Sequence, residues 1–131
     1  VIIHDRDAHE DTMTIIKNEK AKEVGGVLHC FSGSVEMARE LIKHNFFISI
    51  AGPITFKNAR RLVDVVKYIP EESLLIETDS PYLAPEPYRG TRNESTYVKL
   101  IAEQIAKIKG KPLEYIEEIT TSNAKRLFKI Q

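Results

Sequence analysis

Four short runs of the chain are nearly continuous in apolar residues, at positions 1–3, 26–31, 46–50 and 74–78. Unbroken Val, Ile, Leu and Phe, rather than apolar–polar alternation, marks strands buried on both faces, as in a parallel sheet. Their starts at 1, 26, 46 and 74 leave room for a helix between each pair, the spacing of βα units.

The intervals carry helical periodicity. Residues 34–44 place Val35, Ala38, Leu41 and Ile42 on one face, with Ser34 as N-cap. Residues 57–67 group Ala59, Leu62, Val63 and Val66 after Thr55, and residues 8–23 repeat more weakly through Met13, Ile16 and Ala21. The clearest helix is 94–109, striped by Tyr97, Ile101, Ile105 and Ile108, with Asn93 to cap its start and Gly110 its end. Pro112 suits the first turn of a short helix to about residue 119. A last helix is predicted over 122–129.

Strands alternating with helices imply a parallel sheet with right-handed crossovers. Two architectures compete, an open doubly wound sheet and part of a (β/α)8 barrel. Four βα units in 131 residues are half of a barrel that typically needs about 250. The chain opens inside what reads as a strand, with no initiator Met and no signal-peptide pattern. It is therefore expected to be one partial domain, residues 1–131, lacking the other half of its parent.

Composition narrows the function classes. Lys and Arg number 19 against 19 Asp and Glu, so there is no global basic footprint for nucleic acid or membrane. No apolar run approaches the ~18 residues of a membrane span. One cysteine, Cys30, excludes an intrachain disulfide and suits a reducing, cytoplasmic compartment.

The candidate chemistry lies at strand ends. Strand one ends in His4, strand two carries His29 and strand four runs to Asp79. In a barrel the C-terminal strand ends hold the active site. Imidazole nitrogens with a carboxylate are the usual set for a catalytic divalent cation. Three such residues at equivalent places balance the simpler reading, that each is structural. Alternation puts Glu77 on the face of Asp79, one layer below, where it would orient a ligand rather than bind metal. The same alternation turns Cys30 outward, as a small core residue facing the helices. Gly52, after strand three, would let a substrate approach closely.

Several loops are ambiguous. Asp7, Glu10 and Asp11 read as the acidic start of a helix, with substrate binding as the alternative. Ser32-Gly33-Ser34 is equally an ordinary helix start or an anion cradle. Arg6, Arg89 and Arg92 lie near the proposed site and are phosphate contacts in this reading. The last two belong to a long, proline-stiffened loop, 80–92. His9 and His44 are expected in solvent. The charges of 57–67 are most simply a solvated helix face.

The runs His4-Asp-Arg-Asp-Ala-His, Val27-Leu-His-Cys-Phe-Ser-Gly-Ser and Gly52-Pro-Ile-Thr-Phe-Lys-Asn-Ala carry a resemblance. So do Glu77-Thr-Asp-Ser-Pro-Tyr-Leu, Arg89-Gly-Thr-Arg-Asn-Glu and Asn123-Ala-Lys-Arg-Leu-Phe. Together they resemble the TatD-type metal-dependent deoxyribonucleases, over essentially the whole chain. The resemblance implies strands five to eight of a (β/α)8 barrel of the metal-dependent hydrolase type. It makes His4, His29 and Asp79 metal ligands and Asp79 the catalytic residue. It implies two divalent ions, often Mg²⁺, with Zn²⁺, Mn²⁺ or Ni²⁺ as alternatives. The substrate would be DNA, often single-stranded, cut as a 3′-to-5′ exonuclease. The family's His-x-His pair and mid-chain Glu have no counterpart here. They would come from the missing barrel half, in the same polypeptide or a second chain. Two other functions stay open: an amidohydrolase-type enzyme acting on a small ester, lactone or cyclic amide, and an inactive half-barrel.

Overall fold

A computed structural model describes residues 1–131 as a four-stranded parallel sheet with helices packed on it. The strands are β1 (Ile2–His4), β2 (Gly26–His29), β3 (Phe46–Ile50) and β4 (Leu74–Ile76), in spatial order β1-β2-β3-β4. Each strand neighbours the next one in sequence. A doubly wound sheet reverses order at a switch point, and no reversal occurs here. No helix is long and apolar enough to cross a membrane.

The helices are α1 (His9–Asn18), α2 (Val35–Lys43), α3 (Arg60–Tyr68), α4 (Val98–Lys109) and α5 (Leu113–Phe128). Ser34 caps α2 as expected, its Oγ accepting from the Met37 amide at 3.2 Å. Gly110 ends α4 in the left-handed conformation at φ 63°, which a glycine adopts without a Cβ penalty.

Other boundaries differ from the sequence expectation. The helix over 8–23 stops at Asn18 and continues as a 3₁₀ turn at Ala21–Glu23. Thr55 precedes α3 by a full turn. It lies in a 3₁₀ turn, Gly52–Thr55, with its hydroxyl donating to the Gly52 carbonyl at 2.8 Å. The two terminal helices are one. The sequence predicts a break around Thr120 and Thr121, yet Thr120 is buried and its Oγ1 donates back to the Ile116 carbonyl at 2.7 Å. That i−4 bond satisfies the hydroxyl inside the helix and removes the reason to break it.

Register sets the two faces of the sheet. Leu28, Ile48 and Leu74 align across β2, β3 and β4. They are fully buried with Phe46 and Ile50 against the helices, packing on Leu41, Val65, Ile101 and Ile105. The opposite face carries Ile2, Val27, His29, Ser49, Leu75 and Glu77 around a hollow of about 230 Å³ shared with Ala124 and Phe128 of α5. Ile2 is 63% exposed and Phe128 50%.

Asn123 locks α5 to this sheet. Its buried side-chain amide donates to the carbonyls of Glu71 and Leu74, at 2.7 and 2.8 Å. Arg126 reaches the Glu72 carbonyl and lies over the Phe47 ring. The Asn123-Ala-Lys-Arg motif is thus a clasp at the start of β4, distant in role from the chemistry.

Candidate metal centre

His4 and His29 end adjacent parallel strands in direct register. Parallel neighbours in register point their side chains to one face, so the two imidazoles meet. His4 Nδ1 lies 2.8 Å from His29 Nε2, with ring centroids 5.0 Å apart. On β4 the Glu77 amide donates to the Ile50 carbonyl at 3.1 Å, extending the ladder one residue and placing the Glu77 side chain on the His29 face.

Glu77 uses both its oxygens. Oε2 lies 3.2 Å from His29 Nδ1, and Oε1 accepts from the Cys30 amide at 2.6 Å. An ionised carboxylate only accepts hydrogen bonds. With His29 neutral, the proton therefore sits on Nδ1 and Nε2 carries the lone pair. Asp79 follows in the left-handed conformation, φ 58°. One donor atom from each of His29, Glu77 and Asp79 fits within a 4.8 Å span, and all three residues are half-buried. His4, exposed, joins the cluster through His29. Imidazole nitrogen and carboxylate oxygen so grouped suit a divalent cation.

Asp79 is held from outside. Asn93 is 2% exposed, and its amide donates to the Thr78 and Tyr82 carbonyls at 2.7 and 2.6 Å, either side of Asp79. The expectation that Asn93 caps a helix is thereby corrected. The helix begins later, at Val98, and the Oδ1 that a cap would use accepts from the adjacent Glu94 amide at 2.9 Å. Gly52 has a related role. A Cβ there would lie 2.0 Å from the Leu83 carbonyl oxygen, so the glycine admits the 80–92 loop rather than a substrate. The Glu86 amide donates to Thr55 Oγ1 at 2.9 Å and fastens the same loop.

Cys30 departs from the expected outward placement. The strand ends at His29, and Cys30 turns into the left-handed region at φ 46°, so alternation no longer applies to it. Phe31 takes the core position. Burial, then the negative fields of Glu77 and Asp79, push the Cys30 thiol up to about 12. It is a protonated thiol at neutral pH.

The other expected residues divide. His9 is not free in solvent: its Nδ1 lies 2.8 Å from Asp5 Oδ2. Asp5, whose side chain is 6% exposed, also accepts from the Ala8 amide and shapes the turn into α1. His44 is half-buried, with Nδ1 2.9 Å from the Glu40 carbonyl. Arg89 stacks its guanidinium 4.1 Å from the Phe56 ring centroid, and Arg6 and Arg92 are exposed. The structural roles that the sequence does not reveal are those of Asp5, Asn93 and Asn123: Asp5 stands beside a strand end, Asn93 ends a proline-rich loop and Asn123 lies within α5.

A parallel α/β sheet with a His–Glu–Asp cluster at its strand ends offers the donor set of a divalent-cation site. Residues 1–129 match the family described as TatD related DNase, and the chain belongs to that family. It is 59% identical to "Uncharacterized metal-dependent hydrolase YabD" of Bacillus subtilis (strain 168), over 99% of this chain and 51% of that protein. To "Uncharacterized metal-dependent hydrolase YcfH" of Escherichia coli (strain K12) it is 48% identical, over 99% and 49%. Its backbone superposes on the crystal structure of YjjV, a TatD homolog from Escherichia coli K12, with a TM-score of 0.91 at 27% identity. That match covers all of this chain and 50% of YjjV. The chain spans about half the length of the curated relatives it matches.

Proposed function

We propose that this chain is the C-terminal half, strands five to eight, of a (β/α)8 barrel that hydrolyses phosphodiester bonds of DNA. The observation that carries the reading is the cluster of His29, Glu77 and Asp79 donors within 4.8 Å, with His4 bonded to His29, at the strand ends of one sheet. Sequential strand order, coverage of half of each relative and the family's description support it. The missing half, in the same polypeptide or a second chain, supplies the remaining ligands. A single cysteine, with no disulfide framework, suits action in the reducing cytoplasm.

In this proposal His4, His29 and Asp79 contribute to a site for two divalent ions, Mg²⁺ first among the candidates. Such ions, when bound, supply Lewis acidity toward a phosphoryl oxygen and ease ionisation of water. The rest falls to the protein. Glu77 holds the Nδ1 side of His29, which leaves Nε2 as the ligand atom. Asp79 is the catalytic residue. Its carboxylate, fixed by the Asn93-braced turn, takes the proton of the attacking water. Arg6, Arg89 and Arg92 contact the phosphates of a single strand.

The test uses full-length protein, divalent metal and a labelled single-stranded oligonucleotide. His29→Ala should lose most of the bound metal and most of the hydrolysis, because a catalytic metal contributes several kcal/mol to the transition state. Near-normal rates in that variant would refute the ligand assignment. Turnover of a small ester, lactone or cyclic amide without cleavage of DNA would move the same site to a different substrate.

A further inference from the structure

Beside the metal cluster lies a separate hollow of about 290 Å³ that the chemistry above does not use. It is built from the loop after β2 and the stretch from β3 into α3, with Cys30, Phe31, Ser32, Phe56, Asn58 and Arg61 on its walls. Cys30 belongs to both places: its amide holds Glu77, and its side chain lines the hollow. The hollow therefore shares a wall residue with the backbone that holds Glu77.

The size, walls and charge of the hollow select its occupant. A water takes about 30 Å³ of the liquid, so the space suits about ten non-hydrogen atoms, the size of one nucleobase. The walls are mostly apolar, with the rings of Phe31, which is buried in the core, and of Phe56, the more accessible of the two. Arg89 lies over the Phe56 ring, 4.1 Å from its centroid. The only charged wall residue is Arg61. Phe56 and Ala59 also border a second hollow of about 430 Å³, edged by Lys57, Arg60 and Lys67 against Asp64. A ring-sized apolar slot next to a hydrolytic centre, continued by a basic rim, complements a base on a polyanionic backbone.

We infer that this hollow seats the base of a nucleotide flanking the scissile phosphate, against Phe56, with the strand's phosphates running out past Arg61 toward Lys57 and Arg60. The inference rests on the DNA-hydrolysing reading and adds the place where the nucleotide is held. Stacking of a base on an aromatic side chain is sequence-tolerant, since every base has a π-face. The subsite therefore confers a requirement for a base without a preference among bases. The basic start of α3, read from sequence as a solvated face, becomes the strand's track.

The experiment compares the full-length, metal-loaded protein on single-stranded oligonucleotides that are intact, or abasic at one of the two nucleotides flanking the cleaved bond. For the native protein, removing the seated base should lower kcat/KM by about 5- to 150-fold, the range expected for one base–aromatic stack. The ratio of intact to abasic kcat/KM should fall toward one in Phe56→Leu. It should fall likewise in Ala59→Phe, which adds bulk to the wall of the hollow. Thermal unfolding midpoints confirm that each variant is folded. Equal kcat/KM for intact and abasic strands in the native protein, or an undiminished ratio in both variants, would overturn the subsite while leaving the nuclease reading standing. Cleavage of neither strand with any divalent metal would overturn the nuclease reading itself, and the subsite with it.

Discussion

Glu77 sits between the Nδ1 of His29 and the amide of Cys30, and each contact constrains the other. The Cys30 amide fixes one oxygen, so the second can meet the imidazole only from one direction. Carboxylates that orient a ligating histidine typically change metal affinity or activity 10- to 100-fold when altered. Glu77→Gln keeps the shape but removes the charge, and its amide can present a donor to Nδ1 in place of an acceptor. Metal titration of the full-length variant should show affinity weakened within that range, with the fold retained. Unchanged affinity would return Glu77 to a purely structural role. Cys30 gives a second test. Its thiol is raised from 9.0 to about 12 because burial and two carboxylates disfavour the thiolate. The thiolate is the alkylating nucleophile, and its fraction in the folded state stays small until the pH nears that raised value. Iodoacetamide should therefore label the native, metal-free protein much more slowly at pH 8–9 than the urea-unfolded chain. Equal rates would show that the thiol is free of both fields.

Two asparagines do the same job at different distances from the chemistry, and they can be told apart by experiment. Asn93 braces the Asp79 turn through the Thr78 and Tyr82 carbonyls, while Asn123 clasps α5 to the start of β4. Removing either leaves two carbonyls without their donor, at a cost of about 1–3 kcal/mol for each group that stays buried. Both alanine variants should lower the unfolding midpoint in denaturant. Only Asn93→Ala should also weaken metal binding, because only its carbonyls flank a proposed ligand. Equal metal affinity in the two variants would separate Asn93 from the site. Neither clamp was legible in the sequence, because each partner is a backbone carbonyl at a sequence separation that periodicity does not register. The strands and most of the helices were legible, since apolar runs and capping residues such as Ser34 and Gly110 act locally. His4, His29 and Asp79 could be read as strand-end residues for the same reason. Cys30 could not, because one left-handed residue ends the strand's alternation. The single α5 was missed because a local bond, from Thr120 to Ile116, overrides the weak helix propensity of threonine.

At the scale of the molecule, the sheet has one finished face and one unfinished. The helix-facing side holds the fully buried Ile and Leu core. The other side has Val27 and Leu75 covered, yet leaves Ile2 63% and Phe128 50% exposed beside them. β1 and β4 also lack outer neighbours, so each presents a free edge. A closed barrel removes such edges, whereas open ones pair with other chains. If strands five to eight of a barrel are what these 131 residues form, their inner face and edges are covered by the other half in the whole protein. The 131-residue chain expressed alone should then self-associate as a dimer or larger species. It should also hydrolyse no DNA, because His4, His29 and Asp79 would lack the remaining ligands. Sedimentation velocity across a range of concentrations, with an oligonucleotide assay on each species, tests both statements. Co-expression with the complementary half should restore a single species of full-barrel mass together with activity. A concentration-independent monomer of the isolated chain that cleaves DNA in Mg²⁺ would show that the four-stranded sheet is complete in itself, and the barrel proposal would be abandoned for an open sheet.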